Sequence, residues 1–456
     1  MKIVHVLPGS GGTFYCENCL RDTALVQALR RQSQDVILVP MYLPLYTDGP
    51  HIARDTPVFF GGINVYLQQK LPLFRTTPRW VDRLFDARWM LSMAARREGR
   101  TRAAGMGDMT LSMLRGEDGN QAKELERMVA WLAEIEKPDV VHLSLSMLIG
   151  LARRIKQVLN VPVVCTMQDE DQWLDALDPG HAAACWAAIR ERAADCDRFV
   201  TVSEYYRDSM AARLQLDPSV IEPIHIGIDL TGYQLATHDG PPVIGYLSKL
   251  CQSLGLDTLV EAFMILKGKA GLEDLQLRAM GGLIGDDRRF LERVRARLAR
   301  AGMDGDVQFL PDLERAARIS FLRGLSVLSV PIPGGEAFGM FMVEAWAAGV
   351  PVVQPRVGAF PELIDLTGGG VHYEGDSPDA LATALEPLLR DRALARELGE
   401  RGREGAHREF DVETMAQRMI SVYESVVAEH AAQGVDAAAL RDLSADELLP
   451  RGARDR

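Results

Sequence analysis

The sequence predicts an α/β fold made of two Rossmann-like domains that face a cleft. Short apolar runs that suit buried strands alternate with helix-forming segments along most of the 456 residues, which is typical of parallel sheets covered by helices. Both halves of the chain open with a strand, a loop and a helix. Residues 236–242 are polar, rich in proline and glycine and without periodicity, so we expect the domain boundary there.

The first half, residues 1–235, is predicted to contain the strands 3–7, 35–39, 138–142, 162–166 and 197–204. A glycine-rich loop and a helix through residues 23–29 follow the first strand, and Ser203 is the expected N-cap of another helix. Residues 42–120 form a long, irregular insertion, which fits either a lid or acceptor loop or a plain helical excursion.

The second half, residues 241–408, repeats the alternation of strands and helices. Its predicted strands are 243–246, 275–280, 307–310, 325–330 and 350–354. A further helix is predicted over Thr414–Glu429, and we expect the polar, alanine-rich tail 431–456 to be loosely attached.

Composition and charge exclude several classes of protein. The net charge of −12 argues against general nucleic-acid binding. No run approaches the ~18 apolar residues of a membrane-spanning helix, and the first apolar run is too short for a signal peptide. The six cysteines lack the spacing of a zinc site, and most are expected to be free thiols in a reducing compartment. These observations predict a cytoplasmic protein.

The most informative motif is a pair of glutamates eight positions apart, Glu336 and Glu344. Two glycines precede Glu336 and mark a loop. Good helix formers follow Gly339, and Gly349 is a plausible C-terminal stop, so Glu344 is expected about a turn into a helix. The alternative is a surface helix that carries two solvated carboxylates.

The start of this helix is a candidate anion site. The backbone amides of Phe338, Gly339 and Met340 are expected to point out of the helix N-terminus, where negative charge is favoured. An anion site flanked by two carboxylates suits a sugar diphosphate, because amides hold phosphate and carboxylates accept hydrogen bonds from vicinal hydroxyls.

This stretch resembles the Glu-x7-Glu signature of the retaining glycosyltransferases with the GT-B fold, in particular family 4, or glycosyltransferase group 1. The resemblance is dense from Pro138 to Tyr423. It implies an enzyme that transfers a sugar from a nucleotide diphosphate-sugar to a hydroxyl of a carbohydrate, lipid or small-molecule acceptor, with retention of anomeric configuration. It further implies that Glu336 contacts the transferred sugar, that Glu344 holds the ribose, and that no cofactor or metal is required.

The resemblance also assigns the domains. It implies an acceptor-side domain over residues 1–235, a donor domain over 241–408, and a closing helix over 409–430 that returns to the first domain. A lipid acceptor would bring peripheral membrane contact, although no strongly basic helix argues for it.

Residues 245–263 resemble the part of the family's donor domain in which an Arg and a Lys-Gly pair bind the diphosphate. Lys249 stands in the place of the Arg, so we expect it to stabilise the leaving diphosphate. Leu254 stands in the place of the Lys before Gly255. The loss of one such contact typically costs on the order of 10²–10³ in rate. Arg356, after the strand that follows the glutamate pair, is a candidate to compensate.

Four other features complete the expected cleft. Gly11 and Gly12 belong to a loop that lacks the third glycine of a dinucleotide fingerprint. They are expected to lie across the cleft beside the phosphates. The segment Gly358–Glu362 resembles the family's Gly-x-x-Pro-Glu turn. The acidic run 167–173 is interpreted as a solvated loop, with metal or acceptor binding as the alternative. His142 is interpreted as a structural histidine.

A different class of function stays open. Leu254, Gln168 and Ile226 stand where the family usually has Lys, His and Asn. These departures motivate, as the main alternative, a non-catalytic nucleotide-sugar or glycan-binding protein on the same fold. A nucleotide-sugar epimerase on this fold is a third hypothesis.

Overall fold

The computed structural model of the chain describes residues 1–8, 17–41, 59–60, 69, 105–236, 240–283, 287–311 and 314–447. Within these residues the chain forms two six-stranded parallel sheets flanked by helices. This architecture confirms the predicted α/β fold with two Rossmann-like halves.

The first sheet has the strand order β2-β1-β3-β4-β5-β6. Its strands are β1 (Lys2–Leu7), β2 (Asp35–Pro40), β3 (Val140–Leu143), β4 (Val163–Met167), β5 (Arg198–Thr201) and β6 (Ile221–Pro223). Because helices cover both faces, inner strands such as β4 are buried along their whole length. The chain passes to either side of β1, which creates a switch point at the carboxyl ends of the strands.

Seven helices are described in the first half. They are α1 (Glu17–Arg31), α2 (Gly107–Leu114), α3 (Ala122–Trp131), α4 (Ala152–Leu159), α5 (Glu170–Leu174), α6 (Pro179–Arg192) and α7 (Glu204–Leu214). The predicted cap of α7 is confirmed, since Ser203 Oγ accepts the Tyr206 amide at 3.1 Å.

The described part of the insertion 42–120 is packed into the first half. Helix α2 lies within it and contacts α6, and Met113 and Leu114 are buried. Phe59 and Phe60 join the same core. The end of the insertion is therefore a packed helical segment, and most of its remaining residues lie outside the described ranges.

The second sheet has the order β12-β11-β10-β7-β8-β9, the strand order of nucleotide-binding Rossmann folds. Its strands are β7 (Val243–Leu247), β8 (Gln276–Met280), β9 (Val307–Leu310), β10 (Val327–Leu328), β11 (Val352–Pro355) and β12 (Gly370–Tyr373). Strand β10 is shorter than the predicted 325–330, because the chain leaves the sheet early to form the loop that carries Glu336.

The helices described in the second half complete the fold. They are α8 (Leu256–Lys267), α9 (Asp287–Arg300), α10 (Arg315–Arg323), α11 (Met340–Ala347), α12 (Phe360–Thr367), α13 (Pro378–Arg390), α14 (Arg392–Glu409) and α15 (Val412–Glu447).

Helix α15 returns to the first half of the chain. Met415, Met419 and Tyr423 are buried in one cluster with β1, α1 and β2. Beside this crossing, the connection between the halves pairs Ile228 with Asp411. The helix continues to Glu447, so residues 431–447 of the expected tail extend it. The predicted boundary at 236–242 falls partly outside the described residues and stays a prediction.

Candidate functional site

The two glutamates lie where the sequence predicts. Glu336 is in the loop between β10 and α11, and Glu344 is in the second turn of α11. Gly339 precedes the helix with φ 109°, and Gly349 follows it with φ 70°, which confirms the expected stop. The loop leaves the second sheet at its carboxyl edge, where open α/β sheets bind ligands.

A close backbone contact holds the Glu336 loop against the turn after β11. A Cβ on Gly335 would lie 2.7 Å from the Gly358 Cα, and a Cβ on Gly358 would lie 2.7 Å from the Glu336 amide nitrogen. Both glycines have positive φ, 70° and 62°. The Ala359 amide donates to the Glu336 carbonyl at 3.0 Å. Only glycine permits this approach, so the Gly-x-x-Pro-Glu turn supports the Glu336 loop.

Glu344 is buried and bonded by two residues that sequence reasoning missed. Its Oε1 accepts from Tyr233 Oη at 2.7 Å and from Arg318 Nε at 3.0 Å. Burial, together with Glu344, raises the pKa of Tyr233 far above its ordinary value, so its hydroxyl stays a donor. The interpretation of two solvated carboxylates is therefore wrong: Glu344 is 2% exposed and Glu336 is half-buried.

The residues expected near the diphosphate are only partly cationic. Lys249, in the loop after β7, lies 3.1 Å from Asp287 Oδ2 and is 39% exposed. Leu254 packs against the core, so this position carries no charge. A Cβ on Gly255 would lie 2.0 Å from the Pro331 carbonyl oxygen, which explains the glycine that follows.

The other residues expected near the diphosphate are Arg356 and the glycine pair 11–12. Arg356 is 45% exposed, with Nε 3.0 Å from Glu374 Oε1 and Nη2 2.7 Å from His372 Nε2. Its compensating role stays a prediction. Gly11 and Gly12 lie outside the described residues, and their place across the cleft stays a prediction as well.

The acidic run after β4 is not the solvated loop that the sequence suggests. Glu170 is fully buried, and its carboxylate accepts from the amides of Ser146 at 2.8 Å and Gln168 at 2.6 Å and from Tyr206 Oη at 3.0 Å. Burial raises the pKa of Glu170 to about 7. Burial and a neighbouring carboxylate raise the pKa of Asp169 to about 6. The run is thus an ordered part of the first half, with Glu170 in its interior.

A carboxylate of the second half bonds the start of α7 in the first half. Glu362 accepts the amides of Glu204 at 3.0 Å and Tyr205 at 2.9 Å, and lies 2.7 Å from His225 Nε2. Burial opposes ionisation, but these hydrogen bonds prevail and lower the pKa of Glu362 below its ordinary value. A carboxylate at a helix N-terminus is also favoured by the helix dipole.

His142 is a structural residue, as predicted. Its Nε2 lies 2.7 Å from Thr166 Oγ1 and its Nδ1 lies 2.7 Å from Tyr423 Oη. Burial holds the pKa of His142 well below its ordinary value. Both ring nitrogens are occupied, and the histidine joins the first sheet to helix α15.

Among the described residues, no group of three or more His, Cys, Asp or Glu side chains is arranged to hold a metal ion. Within the same residues, none of the helices combines the length and apolar character needed to cross a membrane.

Two family models match consecutive parts of the chain. The model described as glycosyl transferases group 1 matches residues 233–405, and that of glycosyltransferase family 4 matches residues 113–231. Together they cover well over half of the chain, and they meet at the connection between the two sheets.

Curated relatives match over shorter stretches. A D-inositol 3-phosphate glycosyltransferase of Corynebacterium kroppenstedtii is 27% identical over 56% of this chain and 58% of its own length. A phosphatidyl-myo-inositol mannosyltransferase of Mycobacterium leprae is 36% identical over 34% of this chain and 39% of its own length. The chain thus spans about half the length of the curated relatives it matches.

Solved structures share the fold at low identity. Sucrose-phosphate synthase from Thermosynechococcus elongatus superposes with a TM-score of 0.69 at 17% identity, covering 94% of this chain and 100% of that one. Anabaena HepE in complex with UDP and glucose gives 0.65 at 16% identity, covering 93% and 100%. These likenesses show that the chain has the GT-B fold. The two family models show that it belongs to the group 1 glycosyltransferases.

Proposed function

We propose that the protein is a retaining glycosyltransferase, which transfers a sugar from a nucleotide diphosphate-sugar to an acceptor hydroxyl. The observation that carries this proposal is the Glu336 loop. It lies at the carboxyl edge of the second sheet, leads into the N-terminus of α11, and packs closely against the backbone of Gly358. A half-buried carboxylate beside the amides of a helix start suits a sugar diphosphate.

In this proposal each residue has one task. Glu336 orients the donor sugar, and Lys249 with the amides of Phe338, Gly339 and Met340 stabilises the departing diphosphate. A cation and oriented amides stabilise the negative charge that builds on the diphosphate as the glycosidic bond breaks. No metal or cofactor is required, since a cation and oriented amides carry the charge.

Three further contacts belong to the same proposal. Glu344, whose carboxylate is oriented by Tyr233 and Arg318, holds the ribose. Gly11 and Gly12 approach the phosphates from the first half.

In the proposed reaction the bond between the anomeric carbon and the phosphate oxygen breaks. The acceptor oxygen bonds the same face of the anomeric carbon, and the hydroxyl proton passes to the released phosphate.

The relatives suggest which donors and acceptors to test first. HepE is seen with UDP and glucose, and the named curated relatives act on D-inositol 3-phosphate and on phosphatidyl-myo-inositol. A UDP-sugar donor and an inositol-type acceptor, free or lipid-linked, therefore lead the panel.

The test follows nucleotide release from UDP-, GDP- and ADP-sugars, with and without these acceptors, for the wild type and Glu336→Ala. We expect release with at least one donor and a loss on the order of 10² in Glu336→Ala. Glu400→Ala, at an exposed helical glutamate, is the control and should leave release unchanged. NMR of the product reports whether the anomeric configuration is retained.

The same experiment decides on the alternative. Binding of a nucleotide sugar without release or transfer would favour the non-catalytic binding protein, for which the uncharged Leu254 is the structural argument. Release that is unaffected in Glu336→Ala would show that the site is assigned to the wrong residue.

A further inference from the structure

Ala337, the residue after Glu336, contacts the first half of the chain through both of its backbone polar groups. Its amide faces the Asp169 carboxylate and opposes the rise in the pKa of that group. Its carbonyl accepts from Ser203 Oγ at 2.6 Å. Ala337 is 4% exposed and Ser203 is fully buried. Because peptide units are planar, the Ser203 bond sets the orientation of the peptide that joins Ala337 to Phe338, which is the next one after the Glu336–Ala337 peptide.

Asp169 is held in an unusual conformation in which it can make this contact. It lies two residues after the end of β4 and has φ 54°, a left-handed value that non-glycine residues rarely adopt. The residues on both sides are tied down: the Gln168 amide donates to the Glu170 carboxylate at 2.6 Å, and the Glu170 amide donates to Tyr206 Oη at 3.1 Å. A residue whose neighbours hold it in a strained conformation is typical of functional sites.

The start of helix α7 receives a second, independent contact from the same part of the donor half. The amides of Glu204 and Tyr205, which follow Ser203, donate to Glu362. Glu362 belongs to the turn that begins at Gly358 and supports the Glu336 loop. The loop and the turn therefore bond the first half together, at one helix N-terminus.

We infer that Asp169 and Ser203 are positioning residues for Glu336: contact between the two halves completes the donor site by fixing the backbone next to its sugar-binding carboxylate. This inference rests on the proposed glycosyl transfer. The competing view is that these bonds only add stability to the interface between the halves, without any effect on turnover.

Two serine N-caps provide a matched pair of variants. Ser203 Oγ accepts the Tyr206 amide at 3.1 Å, and Ser377 Oγ accepts the Ala380 amide at 3.2 Å. Ser203→Ala and Ser377→Ala each remove one cap, but only Ser203→Ala also removes the bond to Ala337. Comparison of the two variants separates loop positioning from helix stability.

The activity measurement is steady-state sugar transfer by the full chain. We expect kcat to fall about threefold to tenfold in Ser203→Ala, the size of one lost hydrogen bond, and to be unchanged in Ser377→Ala. Asp169→Ala should lose about tenfold or more, because its bond is charge-assisted. Ser203→Thr keeps the hydroxyl and Asp169→Asn keeps an acceptor oxygen, so both should recover most of the rate.

Hydrogen–deuterium exchange of the loop 333–339 gives a readout that needs no turnover. Exchange should rise several-fold in Asp169→Ala and Ser203→Ala and stay at the wild-type level in Ser377→Ala. Unchanged exchange in both Asp169→Ala and Ser203→Ala overturns the inference. Faster exchange in these variants with unaltered kcat overturns it as well. If the wild type shows no turnover, the proposed function is wrong instead. Hydrogen–deuterium exchange then still shows whether the first half holds the loop.

Discussion

Removal of the Glu344 carboxylate tests how strongly Arg318 and Tyr233 hold this group in place. Its Oε1 accepts two bonds, from Arg318 Nε at 3.0 Å and from Tyr233 Oη at 2.7 Å. The side chains of Arg318 and Glu344 are only 6% and 3% exposed, so water does not screen the pair. A hydrogen bond to a charged group contributes about 1.5–3 kcal/mol, and breaking a buried pair costs about 3–5 kcal/mol.

We therefore expect Glu344→Ala to lower the free energy of unfolding by about 3–5 kcal/mol in urea denaturation followed by circular dichroism. Arg318→Met should be costly as well. The double variant should cost less than the sum of the two, with a coupling of about 1–3 kcal/mol, because the second change removes a group whose partner has already gone.

Glu400→Ala is the control for this cycle. Glu400 is an exposed helical glutamate, and its removal should change stability by less than about 0.5 kcal/mol. Strictly additive costs in the double variant, or a cost below about 1 kcal/mol for Glu344→Ala, would refute the reasoning. Arg318 and Tyr233 would then not hold the Glu344 carboxylate as firmly as the contacts indicate.

Three other outcomes follow from the geometry. Gly358→Ala should lower the free energy of unfolding by about 1–3 kcal/mol and slow nucleotide release, because φ is 62° and the new Cβ would meet a backbone nitrogen at 2.7 Å. The control is Gly375→Ala, which is also at positive φ but has nothing within 4 Å of the new Cβ. It should leave nucleotide release intact. Burial raises the pKa of Glu170 from 4.5 to about 7. The stabilisation that comes from its neutral form is therefore fully present below about pH 4.5 and is lost as the pH rises through 7. The loss, roughly 3 kcal/mol, should appear as a falling unfolding midpoint between pH 5 and 8 that is flatter in Glu170→Gln. Tyr423→Phe should cost about 1–3 kcal/mol in urea denaturation by removing the bond to His142, with nucleotide release unchanged; slower release would give His142 a role in the cleft.

The parts of the site that could be predicted carry local signals. Glycines, helix formers and a terminal glycine mark the Glu336 loop and its helix within sixteen consecutive positions, and each signal acts through backbone conformation alone. The N-cap role of Ser203 is local in the same way. The strand pattern follows from burial on both faces, which requires apolar runs whatever the rest of the chain does.

The acidic run shows why other parts could not be predicted. Adjacent carboxylates normally favour water, so Asp169 and Glu170 suggest a solvated loop. The burial of Glu170 depends on donors from elsewhere in the chain: Ser146 lies 24 residues from Glu170, and Tyr206 lies 36 residues from it. No spacing in the sequence signals such a set of donors.

The sequence alone determined the class of fold and the family, because strand and helix periodicity and the Glu336–Glu344 motif are local and depend on few residues. The tertiary structure decided what these residues touch. Arg318 pairs with Glu344 across 26 positions, and Ser203 reaches the Ala337 carbonyl across 134. The first contact forms when helices α10 and α11 pack together within the second half, and the second forms when the two halves pack against each other. Contacts of that range leave no periodic trace in the chain.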